Sequence, residues 1–269
     1  MEINKVKLIY FSPTGTTRKV VENIAKGINE ALVEHIDLTL PGHTRQAIAP
    51  SPEELVIFGA PVYGGRLPVD AVDRFKRVRA GKSLAVVIVV YGNREFEDAL
   101  LELKDLAVEL GFIPIAGGAF IGEHSFASPD APIANGRPDS LDVQKAMTFG
   151  ARIGERIASL RSPATLTALK VPGRFPYEGG PRNMAVSPVT REDTCTLCGT
   201  CASVCPTAAI SVNDSVATAV EACIRCCACV KSCPTGARVW EDDMMKTITT
   251  WLTENCKARK EPLLFGVEA

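Results

Sequence analysis

VKLIYFSPTGTTRKVVENIAKGINEALV, residues 6–33, decides the fold of the N-terminal half. Val6–Phe11 is a β-rich apolar run, and the helical stretch Thr17–Val33 follows it directly, with Val20, Val21, Ile24, Ile28 and Leu32 spaced onto one face. That is a strand, a tight turn and a helix. The pair recurs as Leu55–Ala60 with Val69–Val78, Leu84–Tyr91 with Phe96–Leu110, and Phe112–Ile121 with Leu141–Leu160. Short, continuously apolar strands suit a sheet covered on both faces, and alternation with helices implies parallel pairing. His35–Leu40 adds a shorter strand, so the expected architecture is an α/β domain with a five-stranded, doubly wound parallel sheet over residues 1–160.

After Leu160 the segment RSPATLTALKVPGRFPYEGGPRNMAVSP breaks both periodicities with prolines and glycines, which marks a linker over 161–185. A second, small domain is expected over 186–241. A C-terminal helix and tail follow over 242–269, with Met244, Met245, Ile248, Trp251 and Leu252 on the helix's apolar side and Cys256 as a packing residue.

A chain of 269 residues can bury a sizeable core, and two domains suit its length. Its formal net charge of −1 and pI near 6.3 suggest neither a nucleic-acid footprint nor an anionic-membrane one. The opening MEINKVKLIYFSPTG lacks the basic start and apolar core of a signal peptide, and no apolar run is long enough for membrane insertion, so a cytoplasmic location is expected. Nine of the 10 cysteines fall between Cys195 and Cys233. In a chain read as not exported, that crowding points to metal rather than disulfides.

CTLCGTCASVCP at 195–206 and CIRCCACVKSCP at 223–234 are two copies of C-x2-C-x2-C-x3-C-P, and Thr207 and Ala209 of the first match Thr235 and Ala237 of the second. The spacing is similar to the bacterial ferredoxin signature, in which the fourth cysteine of each copy ligates the other copy's cluster. That resemblance implies one [4Fe-4S] cluster on Cys195, Cys198, Cys201 and Cys233, and a second on Cys223, Cys226, Cys229 and Cys205. Each iron needs a thiolate, two-residue spacers wrap three of them in a tight loop, and the proline stops the turn from continuing. Crossed ligation would couple metal binding to folding. Two zinc sites are the alternative, since C-x2-C knuckles bind zinc, although four-cysteine zinc sites use two separated pairs. Cys227 stands where Gly199 stands in the first copy, as a buried filler or a reserve ligand.

The turn after the first strand, Ser12-Pro13-Thr14-Gly15-Thr16-Thr17, sets hydroxyls and backbone amides at a helix N-terminus, an arrangement that caps the helix or binds a phosphate. It contains no lysine and no dinucleotide glycine fingerprint, which speaks against triphosphate hydrolysis and nicotinamide binding. Two further loops leave carboxyl ends of strands: Pro61-Val62-Tyr63-Gly64-Gly65, continuing to Pro68, and Tyr91-Gly92-Asn93-Arg94. Tyr63 and Tyr91 offer rings for either side of a planar ligand. These segments, with GEHSFAS at 122–128 and the cysteine repeats, resemble flavodoxins and, more closely, flavodoxin–ferredoxin fusion proteins over nearly the whole chain.

The resemblance implies a flavodoxin-like sheet joined to a small α+β ferredoxin-like domain carrying two [4Fe-4S] clusters. Ser12, Thr14, Gly15, Thr16 and Thr17 would hold an FMN phosphate, the loops at 61–65 and 91–94 would flank the isoalloxazine, and Glu123, His124 and Ser125 would line the same cavity. Flavodoxins and ferredoxins are usually acidic, whereas both domains here are nearly balanced in charge. The Arg74, Lys76, Arg77, Arg79 and Lys82 group reads as a solvated helix face or a docking patch. The leading expectation is an electron-transfer iron–sulfur flavoprotein that serves a redox protein donor or acceptor. The alternatives are an FMN-dependent reductase of a small substrate such as a quinone, flavin or dioxygen, and a fused ferredoxin whose first domain has lost FMN. A homodimer that brings clusters near another subunit's flavin is left open.

Overall fold

The computed structural model describes residues 3–28, 32–42, 48–163, 166–180 and 184–267. The N-terminal domain runs β1 (Lys5–Tyr10), α1 (Thr16–Ile28), β2 (Leu32–Asp37), β3 (Glu54–Pro61), α2 (Val69–Phe75), β4 (Leu84–Tyr91), α3 (Ala99–Glu109), β5 (Ile113–Ile121) and α4 (Ser140–Ser159). These five strands pair in parallel in the order β2-β1-β3-β4-β5. Period-2 alternation divides the core: Leu8, Tyr10, Ile57 and Ile88 pack under α1 and α4, while Ile9, Phe11, Phe58 and Val87 pack under α2 and α3. Each such apolar side chain stabilises by about 1.5–3 kcal/mol when fully buried. α1 and α4 touch backbone to backbone, since a Cβ at Gly150 would lie 2.0 Å from the Ile24 carbonyl oxygen.

A sixth strand, absent from the sequence expectation, joins the edge. The C-terminal segment β10 (Leu263–Phe265) runs antiparallel to β5, with Leu264 opposite Gly118. Three residues are too few to show a period, and only the exposed edge of β5 makes them a strand. The helix expected over 17–33 ends at Ile28, and residues 29–31 lie outside the described residues. Leu32, expected on its apolar face, instead opens β2 and is 66% exposed. Parallel pairing from Lys5↔Leu32 to Tyr10↔Asp37 satisfies the β1 edge, so β2 spans Leu32–Asp37 rather than His35–Leu40.

The proline-rich linker lies along α3 instead of crossing solvent. Asp98 accepts from the backbone N–H groups of Arg174 and Glu178, both at 2.8 Å, and the Tyr177 hydroxyl donates to Asp105 at 2.8 Å. The Gly180 N–H donates to the Gly64 carbonyl at 2.8 Å, which ties the linker to the loop after β3.

The second domain is built from very short elements: β6 (Val189–Thr190), α5 (Thr200–Ser203), β7 (Ile210–Val212), β8 (Val216–Thr218), a 3-10 turn at Val220–Ala222, α6 (Ala228–Lys231) and β9 (Arg238–Val239). β6 pairs with β9 and β7 with β8, both antiparallel. α7 (Asp243–Asn255) then leads back to the sheet. Its inward stripe is Met245 and Leu252, while Met244 and Trp251, expected on the apolar side, are about half exposed.

Candidate functional site

The carboxyl ends of the parallel strands open onto a cavity of about 710 Å³. Its floor is the switch point where the chain order reverses between β1 and β3, the usual ligand crevice of an open α/β sheet. Thr14 and Thr16 come from the first loop, Pro61, Val62, Tyr63 and Gly64 from the second, Tyr91, Gly92 and Arg94 from the third, and Glu123, His124 and Ser125 from the loop after β5.

The first loop turns at Gly15, whose φ of 81° is a left-handed value natural to glycine. The Ser12 hydroxyl is occupied locally, accepting from the Arg18 N–H at 3.0 Å. Thr17 is buried and its Oγ1 has no hydrogen-bond partner among the described residues. A buried hydroxyl without a partner costs about 1–3 kcal/mol, so an anionic ligand at this helix N-terminus would satisfy a group the protein itself leaves open. The residues present therefore fit a bound phosphate.

The second loop is anchored to α3. Glu102 accepts from both the Nε and Nη2 of Arg66 at 2.8 Å and from the Leu67 N–H at 2.9 Å. Gly65, also left-handed, sits against Glu97, whose carboxylate occupies the space a Cβ would need. Burial raises the Tyr63 pKa well above its ordinary value, helped by nearby Cys226 and Cys227. In the third loop the Tyr91 ring packs on Phe96, with centroids 5.6 Å apart, while also lining the cavity.

Asn93, expected beside the flavin, is 2% exposed and turned away from the cavity. Its Nδ2 donates to the carbonyls of Cys256 at 2.7 Å and Ala258 at 2.9 Å, so its position in the motif serves the C-terminal segment instead.

His124 packs over Gly92, where a Cβ would come within 2.3 Å of its ring. Its Nδ1 accepts from the Phe126 N–H at 3.0 Å, and burial, with Arg94 and Lys231 adding to it, pushes its pKa down to about 4. The ring is therefore neutral at neutral pH, with the proton on Nε2. This is the loop hydrogen bond that a histidine here most simply makes. Glu123 accepts from the Gly136 N–H and from Lys231 of the second domain.

Several wall residues were not assigned to this cavity from sequence: Gly179, Gly180 and Met184 from the linker, Ile224 and Arg225 from the second cysteine repeat, and Thr247, Ile248, Trp251 and Leu252 from α7, of which the last three were read only as an apolar helix side. Only the Gly179-Gly180 pair hinted at a close approach, and the rest arrive by tertiary packing.

The thiols of the second domain surround two smaller cavities. Cys195, Cys198, Cys201 and Cys233 line one; Cys205, Cys223, Cys226 and Cys229 line the other, together with Cys227. Four cysteine thiols about each cavity form a donor set suited to a cubane iron–sulfur cluster. Hydroxyl and amide donors surround the sulfurs: Thr200 Oγ1 lies 3.3 Å from Cys198, Thr207 Oγ1 3.6 Å from Cys205, and the Ala209 N–H donates to Cys205 at 3.2 Å. Leu197 and Arg225, at equivalent places in the repeat, share left-handed φ values of 54° and 56°.

Residues 7–110 match the flavodoxin domain family, and residues 187–257 match the 4Fe-4S dicluster domain family. No curated protein matches the chain in sequence. Among solved structures it is similar to a flavodoxin from the domain Archaea, at 15% identity and TM-score 0.38, with the match covering 57% of this chain and 99% of that one. A Fusobacterium nucleatum flavodoxin bound to flavin mononucleotide is 14% identical with TM-score 0.39, over 56% of this chain and 98% of that one. The rubredoxin oxygen:oxidoreductase of the anaerobe Desulfovibrio gigas is 14% identical with TM-score 0.42, over 59% of this chain and only 38% of that one. Among the described residues no helix is long and apolar enough to cross a membrane. With a flavodoxin domain and a 4Fe-4S dicluster domain in one polypeptide, the chain is a flavodoxin–ferredoxin fusion, an electron-transfer flavo-iron–sulfur protein.

Proposed function

We propose that this chain carries two [4Fe-4S] clusters and one FMN, and passes electrons between them and an external redox protein. The observation that carries the proposal is a shared wall. Ile224 and Arg225 line both the Cys205–Cys223–Cys226–Cys229 cavity and the large cavity at the strand ends. Clusters exchange single electrons while FMN exchanges one or two, so the pair joins one-electron to two-electron chemistry.

The chain's own residues bind, space and shield. Thr14, Gly15, Thr16 and Thr17 hold the phosphate end, with Ser12 shaping the loop. The segments 61–65 and 91–94 frame the ring, and Asn93 acts from behind by holding α7 against the cavity. On this reading the flavin-facing cluster is the one on Cys205, Cys223, Cys226 and Cys229. The other lies toward the surface, where Leu197 and Cys198 are exposed, and exchange with the outside partner is assigned there.

Anaerobic purification followed by iron, sulfide and flavin analysis tests the proposal, with about eight irons and one FMN per chain expected. Zinc or cystines at these thiols would overturn it. A second reading, reduction of a small substrate at the flavin, is favoured by one feature: α7 gives the cavity an extra wall through Ile248, Trp251 and Leu252. Steady-state turnover of a quinone or free flavin with a reduced donor would distinguish that reading from simple electron carriage.

A further inference from the structure

Aligning the two cysteine repeats sets Ile210 of the first against Arg238 of the second. Arg238 is 2% exposed and lines both thiol cavities. Its Nη1 donates to Thr190 Oγ1 at 2.7 Å and its Nη2 to Thr218 Oγ1 at 3.1 Å, while Nη2 also lies 3.9 Å from Cys229 Sγ. Among the described residues its Nε is buried without a hydrogen-bond partner, and the partners of its other guanidinium nitrogens are hydroxyls and a thiol, not carboxylates.

A buried cation without a counter-charge is costly enough that proteins avoid it. Two neutral hydroxyls do not compensate it. The remaining source of negative charge is what the two cysteine-lined cavities would hold, and Arg238 borders both.

Resting on the proposed cluster assignment, we propose that Arg238 is a shared electrostatic tuning residue, a fixed positive charge between the two clusters that raises the reduction potential of both. Each cluster gains one negative charge when it accepts an electron from a one-electron donor, so a neighbouring cation favours the reduced state. Burial keeps the effect from being screened by salt. Because one guanidinium borders both cavities, it also softens the repulsion between two reduced clusters. The free Nε–H supplies a donor for sulfur that no group on the protein claims.

The test compares Arg238→Lys, which keeps the charge, with Arg238→Gln and Arg238→Met, which remove it. For each anaerobically prepared holoprotein, iron and sulfide per chain are measured, and cluster potentials are read by EPR-monitored redox titration. Both potentials should fall in the Gln and Met variants and stay nearest to wild type in the Lys variant. A charge-free variant that keeps its iron with both potentials unmoved would overturn the proposal, and a shift confined to one cluster would overturn the shared role. If only the Lys variant retains iron, charge is what the site requires and the proposal stands; loss of iron from all three overturns it. Absence of iron in the wild-type protein would instead remove the functional reading beneath it.

Discussion

Cys227 occupies the position in the second cysteine repeat that Gly199 holds in the first. It caps α6 in a left-handed conformation, φ 62°, just as Gly199 caps α5 at 76°. Glycine meets that demand freely, whereas cysteine bears backbone strain. The compensation is local: Cys227 is 2% exposed, and the Trp240 indole N–H donates to its sulfur at 3.2 Å. Cys227→Ala should therefore keep the full iron content and cluster EPR signal while lowering stability by about 1 kcal/mol, as the indole loses its acceptor. Iron analysis and denaturant unfolding check both halves, and loss of one cluster would make Cys227 a ligand. The odd cysteine stood out in the repeat, but its partner lies thirteen positions away, just past β9, so spacing alone did not reveal its role.

Among elements, the C-terminal segment does most to shape the site. α7 walls the large cavity, the chain beyond it is held by Asn93, and β10 closes the β5 edge. Asn93→Ala leaves the Cys256 and Ala258 carbonyls without their donor and should cost about 1–3 kcal/mol. It should also weaken flavin retention, because the wall it secures is released. Thermal melting and flavin loss on dilution measure the two effects; an unchanged melting temperature would show that the contact contributes nothing. The parallel strands and their helices were legible, since periods of 2.0 and 3.6 residues are written locally. β10 was not, because three residues carry no period and their pairing depends on an edge formed about 145 positions earlier in the chain.

At the scale of the molecule, the small domain has little core of its own beyond Cys201, Ile210, Cys229 and a few partly buried neighbours. Ile224 packs on the core of the larger domain, and three side chains add polar or aromatic links across the interface. The buried Arg74 donates to the carbonyls of Leu38 and Thr39 and, across the interface, to that of Pro206. Lys231 bonds Glu123 and the Ala127 carbonyl, and Trp240 meets Phe126 edge-on with centroids 6.0 Å apart. Arg74, read from sequence as part of a solvated helix face or a docking patch, is thus an interdomain pin. Removing iron with a chelator should unfold residues 186–241 while the α/β domain stays folded. Limited proteolysis would then cut within the cysteine repeats and spare residues 1–160. A small domain that stays folded and protected after iron removal would mean that docking, not metal, sustains it.

By itself the amino-acid sequence determined the doubly wound sheet, the dicluster domain and the loops that face the strand ends, because each is encoded over a few consecutive residues. Tertiary structure alone decided that the Ile224–Arg225 turn stands between two cavities, that α7 walls one of them, and that Arg238 lies buried between the thiol groups. The reason is physical. Such placements sum many weak packing contacts between segments far apart in the chain, and no local period or spacing records that sum.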